Sequence, residues 1–171
     1  TGANVGNLYL SISRFIETFN YLAFEPDSKV FKCLELNLDR FNNVELHCVG
    51  LSNENKNKKF YVNDETGDSS LEEFDTEISI DINTKELDSF KYQKVKLLKI
   101  DAEGHELEVL LGAKNTLPNI DYIAVDMGAE KGNENENTVS SVTNFLSHQN
   151  FELVNFQETR TTGLFKNLLY S

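Results

Sequence analysis

Val95-Lys96-Leu97-Leu98-Lys99-Ile100 runs straight into Asp101-Ala102-Glu103-Gly104-His105-Glu106. The first six residues read as a short buried strand, and the apolar spacing after Gly104 predicts a helix to about Lys114, with Pro118 closing the segment. A buried strand that releases Asp101, Glu103, His105 and Glu106 into a turn places chemistry at the carboxyl edge of a parallel sheet, where α/β enzymes bind ligands. Asp101 is a good helix cap by type, yet the third residue on is Gly104, so no capping box forms and the cluster exceeds what capping requires. No ligand spacing in this segment, or with Asp126, demands a metal.

Working outward, Ile120–Asp126 reads as the next strand and 138–149 as a helix carrying Val139, Val142, Phe145 and Leu146. The segments 151–156 and 163–170 read as strands whose short polar link rules out a helical crossover, so they pair antiparallel. Upstream, Leu8, Ile12, Phe15, Ile16 and Phe19 predict a helix over 7–19. Tyr21–Phe24 is a strand closed by Glu25-Pro26. Val30, Phe31, Leu34, Leu38 and Phe41 predict a second helix, and 44–49 a further strand. The middle departs from this alternation. Strands at 59–62 and 77–82, with a Gly67-Asp68-Ser69-Ser70 turn, read as an antiparallel insertion, and 128–137 as a loop over the sheet edge. The whole predicts a single α/β domain over 1–171, a mostly parallel sheet with an antiparallel last strand.

With 171 residues, 39% of them hydrophobic, the chain can bury one core. A net charge of −12 argues against a phosphate backbone as partner and leaves neutral or cationic small molecules. No apolar run is long enough to span a bilayer. Cys33 and Cys48 lack metal or CxxC spacing and read as buried free thiols of a reducing, cytoplasmic setting.

Gly2-Ala3-Asn4-Val5-Gly6 precedes a helix and suits a turn that lets backbone approach a ligand. It is not the G-x-G-x-x-G of a dinucleotide site: Asn4 replaces the middle glycine, and its side chain obstructs a pyrophosphate. Glu25 follows a strand 19 residues after Gly6, the place of a carboxylate that binds both ribose hydroxyls. A glycine loop and a ribose carboxylate without phosphate recognition point to an adenosine ligand such as S-adenosylmethionine. Gly2, Ala3, Asn4, Gly6, Glu25, Pro26, Ser52 and Asp101 are the cofactor candidates; Asp101, Glu103 and His105 are the catalytic ones, with His105 preferred as proton acceptor. Ser69, Ser70 and Asp126 are weaker candidates for lining the same cleft.

Gly2–Gly6, Phe24-Glu25-Pro26, Leu87-Asp88, Lys99–Glu106 and Leu110-Leu111-Gly112-Ala113, in this order and spacing, resemble the FkbM family of S-adenosylmethionine-dependent methyltransferases. The resemblance implies a three-layer αβα, Rossmann-like class I methyltransferase sheet of seven strands. It also implies methyl transfer to a hydroxyl of a sugar, lipid-linked or polyketide-like acceptor. The family has a strand before the glycine loop, which is expected upstream of Thr1. Two other readings compete: a catalytically inactive binding module of the same fold, and a nicotinamide-dependent oxidoreductase, against which the missing glycine counts.

Overall fold

Three parallel strand pairs occur in the computed structural model, which describes residues 1–62, 69–73, 76, 78–132 and 134–170. The chain runs α1 (Asn7–Ile12), β1 (Tyr21–Phe24), α2 (Ser28–Leu38), β2 (Val44–His47), β3 (Gly50–Leu51), β4 (Asn57–Val62), β5 (Ser69–Ser70) and β6 (Ser79–Lys85). It continues through β7 (Val95–Ile100), α3 (Glu106–Leu111), β8 (Ile120–Asp126), β9 (Ala129–Lys131), β10 (Glu136–Asn137), α4 (Val139–His148), β11 (Phe151–Gln157) and β12 (Thr162–Asn167). The fold is α/β, with four α-helices among the described residues.

β1 pairs with β2 in parallel. A four-stranded sheet has the order β11-β12-β8-β7, with β7 and β8 parallel and β12 antiparallel to both its neighbours. The middle of the chain forms its own sheet, β3-β6-β4-β5, antiparallel except for the β3–β6 pair. The N-terminal residues bridge β1 and β7: the Thr1 backbone nitrogen donates to the Lys99 carbonyl (2.8 Å) and the Ala3 amide to the Phe24 carbonyl (3.2 Å).

The run that predicted β7 is half core. Leu98 and Ile100 pack with Ile120, Ile123 and Val125 of β8, with Val109 and Leu110 of α3, and with Val142 and Leu146 of α4. Each such side chain contributes about 1.5–3 kcal/mol on burial. A second cluster, Tyr9, Ala23, Leu34 and Leu38, fastens α1 and α2 to β1. Asp27 caps α2 by accepting from the amides of Lys29 (2.7 Å) and Val30 (3.4 Å). Asp88, from the Leu87-Asp88 motif, clamps the chain after α3: its two oxygens accept from the amide and side chain of both Asn115 and Thr116 at 2.7–3.0 Å.

Several expectations shift. α1 ends at Ile12 rather than near 19, because Phe15 and Ile16 find nothing to pack on and remain 87% and 51% exposed. The insertion's strands are Asn57–Val62 and Ser79–Lys85, and 128–137 holds a short β9–β10 pair. Gly67, Asp68 and Glu77 lie outside the described residues. Cys33 and Cys48 are exposed, a correction of the buried-thiol reading: apolar periodicity placed both near apolar neighbours, but each falls on the outward side of its segment. No helix among the described residues is long and apolar enough to cross a membrane.

Candidate active site

A cleft of about 760 Å³, open mouth included, lies where the carboxyl ends of β1 and β7 meet; the N-terminal turn, the insertion and the octet Lys99–Glu106 contribute its walls. The first wall is the Gly2–Gly6 turn. Gly2, Asn4 and Gly6 all have left-handed backbones (φ 65°, 49° and 92°). A Cβ on Gly2 would lie 2.1 Å from the Asp101 carbonyl oxygen, so only glycine lets this turn pass the end of β7. Asn4 tolerates its conformation because its Oδ1 accepts from the Val5 amide (2.8 Å).

Glu25 is the hinge of this wall. It is only 6% exposed, and its oxygens accept from the amides of Asn4 (2.9 Å) and Asp27 (3.0 Å). Burial pushes its carboxyl above the usual range, opposed by those two amides. One hydrogen bond to each oxygen leaves acceptor capacity on both. Gly2, Asn4, Glu25 and Pro26 line the cleft, whereas Ala3 and Gly6 lie behind it, in the turn's own hydrogen bonding and packing.

The opposite wall is the octet. Asp101 lines the cleft and is ion-paired with Lys99. Glu103 lines it too, with a left-handed backbone (φ 49°) that costs a non-glycine residue about 1–2 kcal/mol. Its carbonyl accepts from Ser70 Oγ (2.6 Å), and its carboxyl shares a hydrogen bond with Glu130. Burial pushes the Glu130 carboxyl up, and the neighbouring Asp126, Glu106 and Asp101 add to that. Asp126 is likewise pushed up by burial, then by Asp101, while Arg160 and Lys99 oppose the shift.

His105 is 4% exposed and both its ring nitrogens are engaged: Nδ1 with Glu72 Oε1 (2.7 Å) and Nε2 with Ser52 Oγ (3.0 Å). Ser52 itself is wholly buried, accepts from Lys58 Nζ (3.0 Å) and is not on the cleft wall. Donor atoms of Glu72, His105 and Glu108 lie within 4.8 Å of one another, a group that could hold a metal. His105 is hydrogen-bonded to Glu72 and Lys131 is ion-paired with Glu108 Oε1 (3.4 Å), whereas Glu108 Oε2 is buried without a hydrogen-bond partner among the described residues.

Glu106, the last residue of the octet, does something composition did not reveal. It is 1% exposed and accepts from the Gly104 amide and Thr138 Oγ (2.9 Å each), joining the turn to the start of α4. Burial pushes its carboxyl up, against those hydrogen bonds. Glu130, in β9, and Glu72, just after β5, carry no local motif that marks them from the sequence, because they lie far from the octet along the chain.

A family model described as "Methyltransferase FkbM domain" matches residues 1–153. Over 115 residues, 64% of this chain and 48% of the relative, the sequence is 31% identical to the hexuronic acid methyltransferase AglP of Haloferax volcanii. Over 161 residues, 77% of this chain and 64% of the relative, it is 27% identical to Methyltransferase 1 of Beauveria bassiana. The chain therefore spans between about half and two thirds of these curated relatives. A crystal structure of a methyltransferase FkbM from Methylobacillus flagellatus superposes with a TM-score of 0.65 over 96% of this chain and 41% of that one. At 17% identity that likeness bears on the fold alone.

Proposed function

We propose, on the premise that this chain belongs to the FkbM methyltransferase domain family, that it carries S-adenosylmethionine-dependent transfer of a methyl group to a hydroxyl oxygen of a sugar-like acceptor. The observation that carries the cofactor assignment is Glu25: a buried carboxylate at a strand end, bonded to the amide of the glycine turn and retaining acceptor capacity toward a ribose. Gly2, with no space for a Cβ beside the Asp101 carbonyl, keeps the glycine turn against the end of β7 at the cleft, which supports the same fit. The walls fit an adenosine ligand without phosphates: among the described residues, the ionisable side chains lining the cleft are Glu25, Asp101, Glu103 and His105.

When bound, S-adenosylmethionine supplies an electrophilic methyl on a cationic sulfur, displaced in line by the acceptor oxygen. Gly2, Asn4, Glu25 and Pro26 hold the adenosine end, and Asp101 sits at the opposite wall, where its charge favours a cation. An alcohol needs a base near neutral pH. We place that role on Glu103 or Asp101 rather than His105, whose two nitrogens are already bonded to Glu72 and Ser52. Alignment of acceptor and methyl supplies several kcal/mol of barrier lowering. A sugar acceptor is favoured by the name of the Haloferax relative, a hexuronic acid methyltransferase. The finer fold, a three-layer Rossmann-like domain over the whole chain, belongs to the same proposal, supported by the ends of β1 and β7 meeting at one cleft. So does function without a metal and with neither a nucleic acid nor a membrane as partner.

Calorimetry tests the core of this reading. S-adenosylmethionine should bind with measurable heat, and Glu25→Ala should weaken it by about 1–3 kcal/mol through lost charge-assisted hydrogen bonds. Folded protein that gives no heat would sink the cofactor assignment. Because the Glu25 carboxyl is raised by burial, affinity should increase as pH rises through its folded-state value, where the stronger acceptor form appears.

A further inference from the structure

The strained turn at Glu103 and Gly104 is pinned from two sides. On one side the β9 segment abuts it: a Cβ on Gly104, itself left-handed at φ 95°, would meet Lys131 Cα at 2.6 Å and the Glu130 carbonyl at 2.8 Å. On the other side stands a hydrogen-bond circuit from the insertion. Ser70 Oγ donates to the Glu103 carbonyl (2.6 Å) and accepts from the Glu72 amide (3.0 Å). The Glu72 carboxylate then meets His105 Nδ1 (2.7 Å), two residues beyond Glu103, which closes the circuit. The His105 amide donates to the Ala102 carbonyl (3.1 Å), so the turn is fixed on both flanks of Glu103.

Alternation sorts the insertion's residues. Ser69 and Leu71 line the cleft, whereas Ser70 and Glu72 do not and bond the octet instead. A glutamate held at φ 49° relaxes toward the ordinary helical or extended regions when its carbonyl loses its donor, and that rotation redirects its side chain. We infer that Ser70 and Glu72 are positioning residues that hold the Glu103 carboxylate at the methyl-donor end of the cleft, Ser70 through the Glu103 carbonyl and Glu72 through His105. This rests on the cofactor reading given above. It assigns the antiparallel insertion a role in the chemistry: it sets how much negative charge faces the cationic sulfur.

The charge difference between S-adenosylmethionine and its neutral product S-adenosylhomocysteine provides the readout, because the two differ at the sulfur. Calorimetry of both ligands with wild-type protein, Ser70→Ala, Glu72→Gln and Glu103→Gln gives an affinity ratio for each. The wild type should favour the cationic ligand, and all three variants should shrink that preference by about threefold or more, with affinity for the neutral ligand held within about twofold. General damage to the fold would weaken both ligands alike and leave the ratio unchanged, which overturns the inference. A ratio that falls in Glu103→Gln but not in Ser70→Ala or Glu72→Gln removes the positioning role and spares the cofactor reading. A ratio untouched by Glu103→Gln also overturns the inference. Wild-type protein that binds neither ligand takes down the cofactor reading, and the inference with it.

Discussion

Two turns line the cleft, Gly2–Gly6 at the start of the sequence and Asp101–Glu106 after β7, and both rely on left-handed backbone. They use it for opposite ends. In the first turn the side chains withdraw and the backbone comes forward: Gly2 sits against Asp101, and the Asn4 amide holds Glu25. In the second the backbone is pinned and the side chains bond to one another: Glu103 to Glu130, His105 to Glu72 and Ser52, Glu106 to Thr138. A turn of the first kind presents backbone to the cleft and holds its neighbours through main-chain hydrogen bonds. A turn of the second kind is also a structural joint, so changing it alters stability and function together.

The sharpest way to break this contrast is Gly2→Ala. With its Cβ forced to within 2.1 Å of a carbonyl oxygen, the turn must move. S-adenosylmethionine affinity should fall about 100-fold or more, roughly 3 kcal/mol, in a calorimetric titration. An unchanged dissociation constant would show that backbone approach is not how the first turn works. Next comes Glu106→Ala, which strands the Gly104 amide and the Thr138 hydroxyl in the core; denaturant unfolding should register a loss of about 2–4 kcal/mol. The pH dependence sharpens that prediction. A carboxyl raised on folding favours its neutral form, so its contribution to stability is fullest at acid pH and declines as pH rises through the folded-state value. Glu106→Gln should flatten that decline, and a slope equal to wild type would show that Glu106 does not cause it.

His105→Ala is expected to cost about 1–3 kcal/mol of stability, since it leaves Ser52 and Glu72 without their shared partner. S-adenosylmethionine affinity should fall about threefold or more, as for Glu72→Gln, with S-adenosylhomocysteine affinity held within about twofold, and turnover should drop because the joint loosens. The smallest effect is expected from chelation. Glu72 and His105 bond each other and Lys131 offsets Glu108 through Oε1, so treatment with a chelator should leave melting temperature and activity where they were. A drop restored by a divalent cation would reassign that cluster.

How far the sequence foretold this depends on range. β1, β7 and β8 were legible to the residue because each is a dense apolar run bounded by charge or proline. The closing hairpin was legible because its link is too short for anything else. α1 was read too long: periodicity continues through Phe15 and Ile16, but the core it would need is absent there. Gly2, Asn4, Glu25, Asp101 and Glu103 were picked out by local pattern and do share one cleft. Ser52 was placed near the ligand from its strand-end position, yet it is buried behind His105. Roles that depend on distant partners stayed hidden. Nothing near Glu72 announces a histidine 33 residues away, and nothing near Asp88 announces the four donors at Asn115 and Thr116.

The two exposed thiols have a practical consequence. Cys48 Sγ lies 4.0 Å from the carbonyl of Pro26, which lines the cleft, whereas Cys33 sits on the open side of α2. A Cys33→Ser protein therefore carries a single natural handle beside the cleft, and an environment-sensitive dye attached there becomes an optical gauge of occupancy. Burial raises the Cys48 thiol, with Glu25, Glu35 and Asp27 adding to it, so conjugation calls for alkaline buffer. With that gauge, candidate acceptors can be screened by their effect on ligand exchange before any product has been identified.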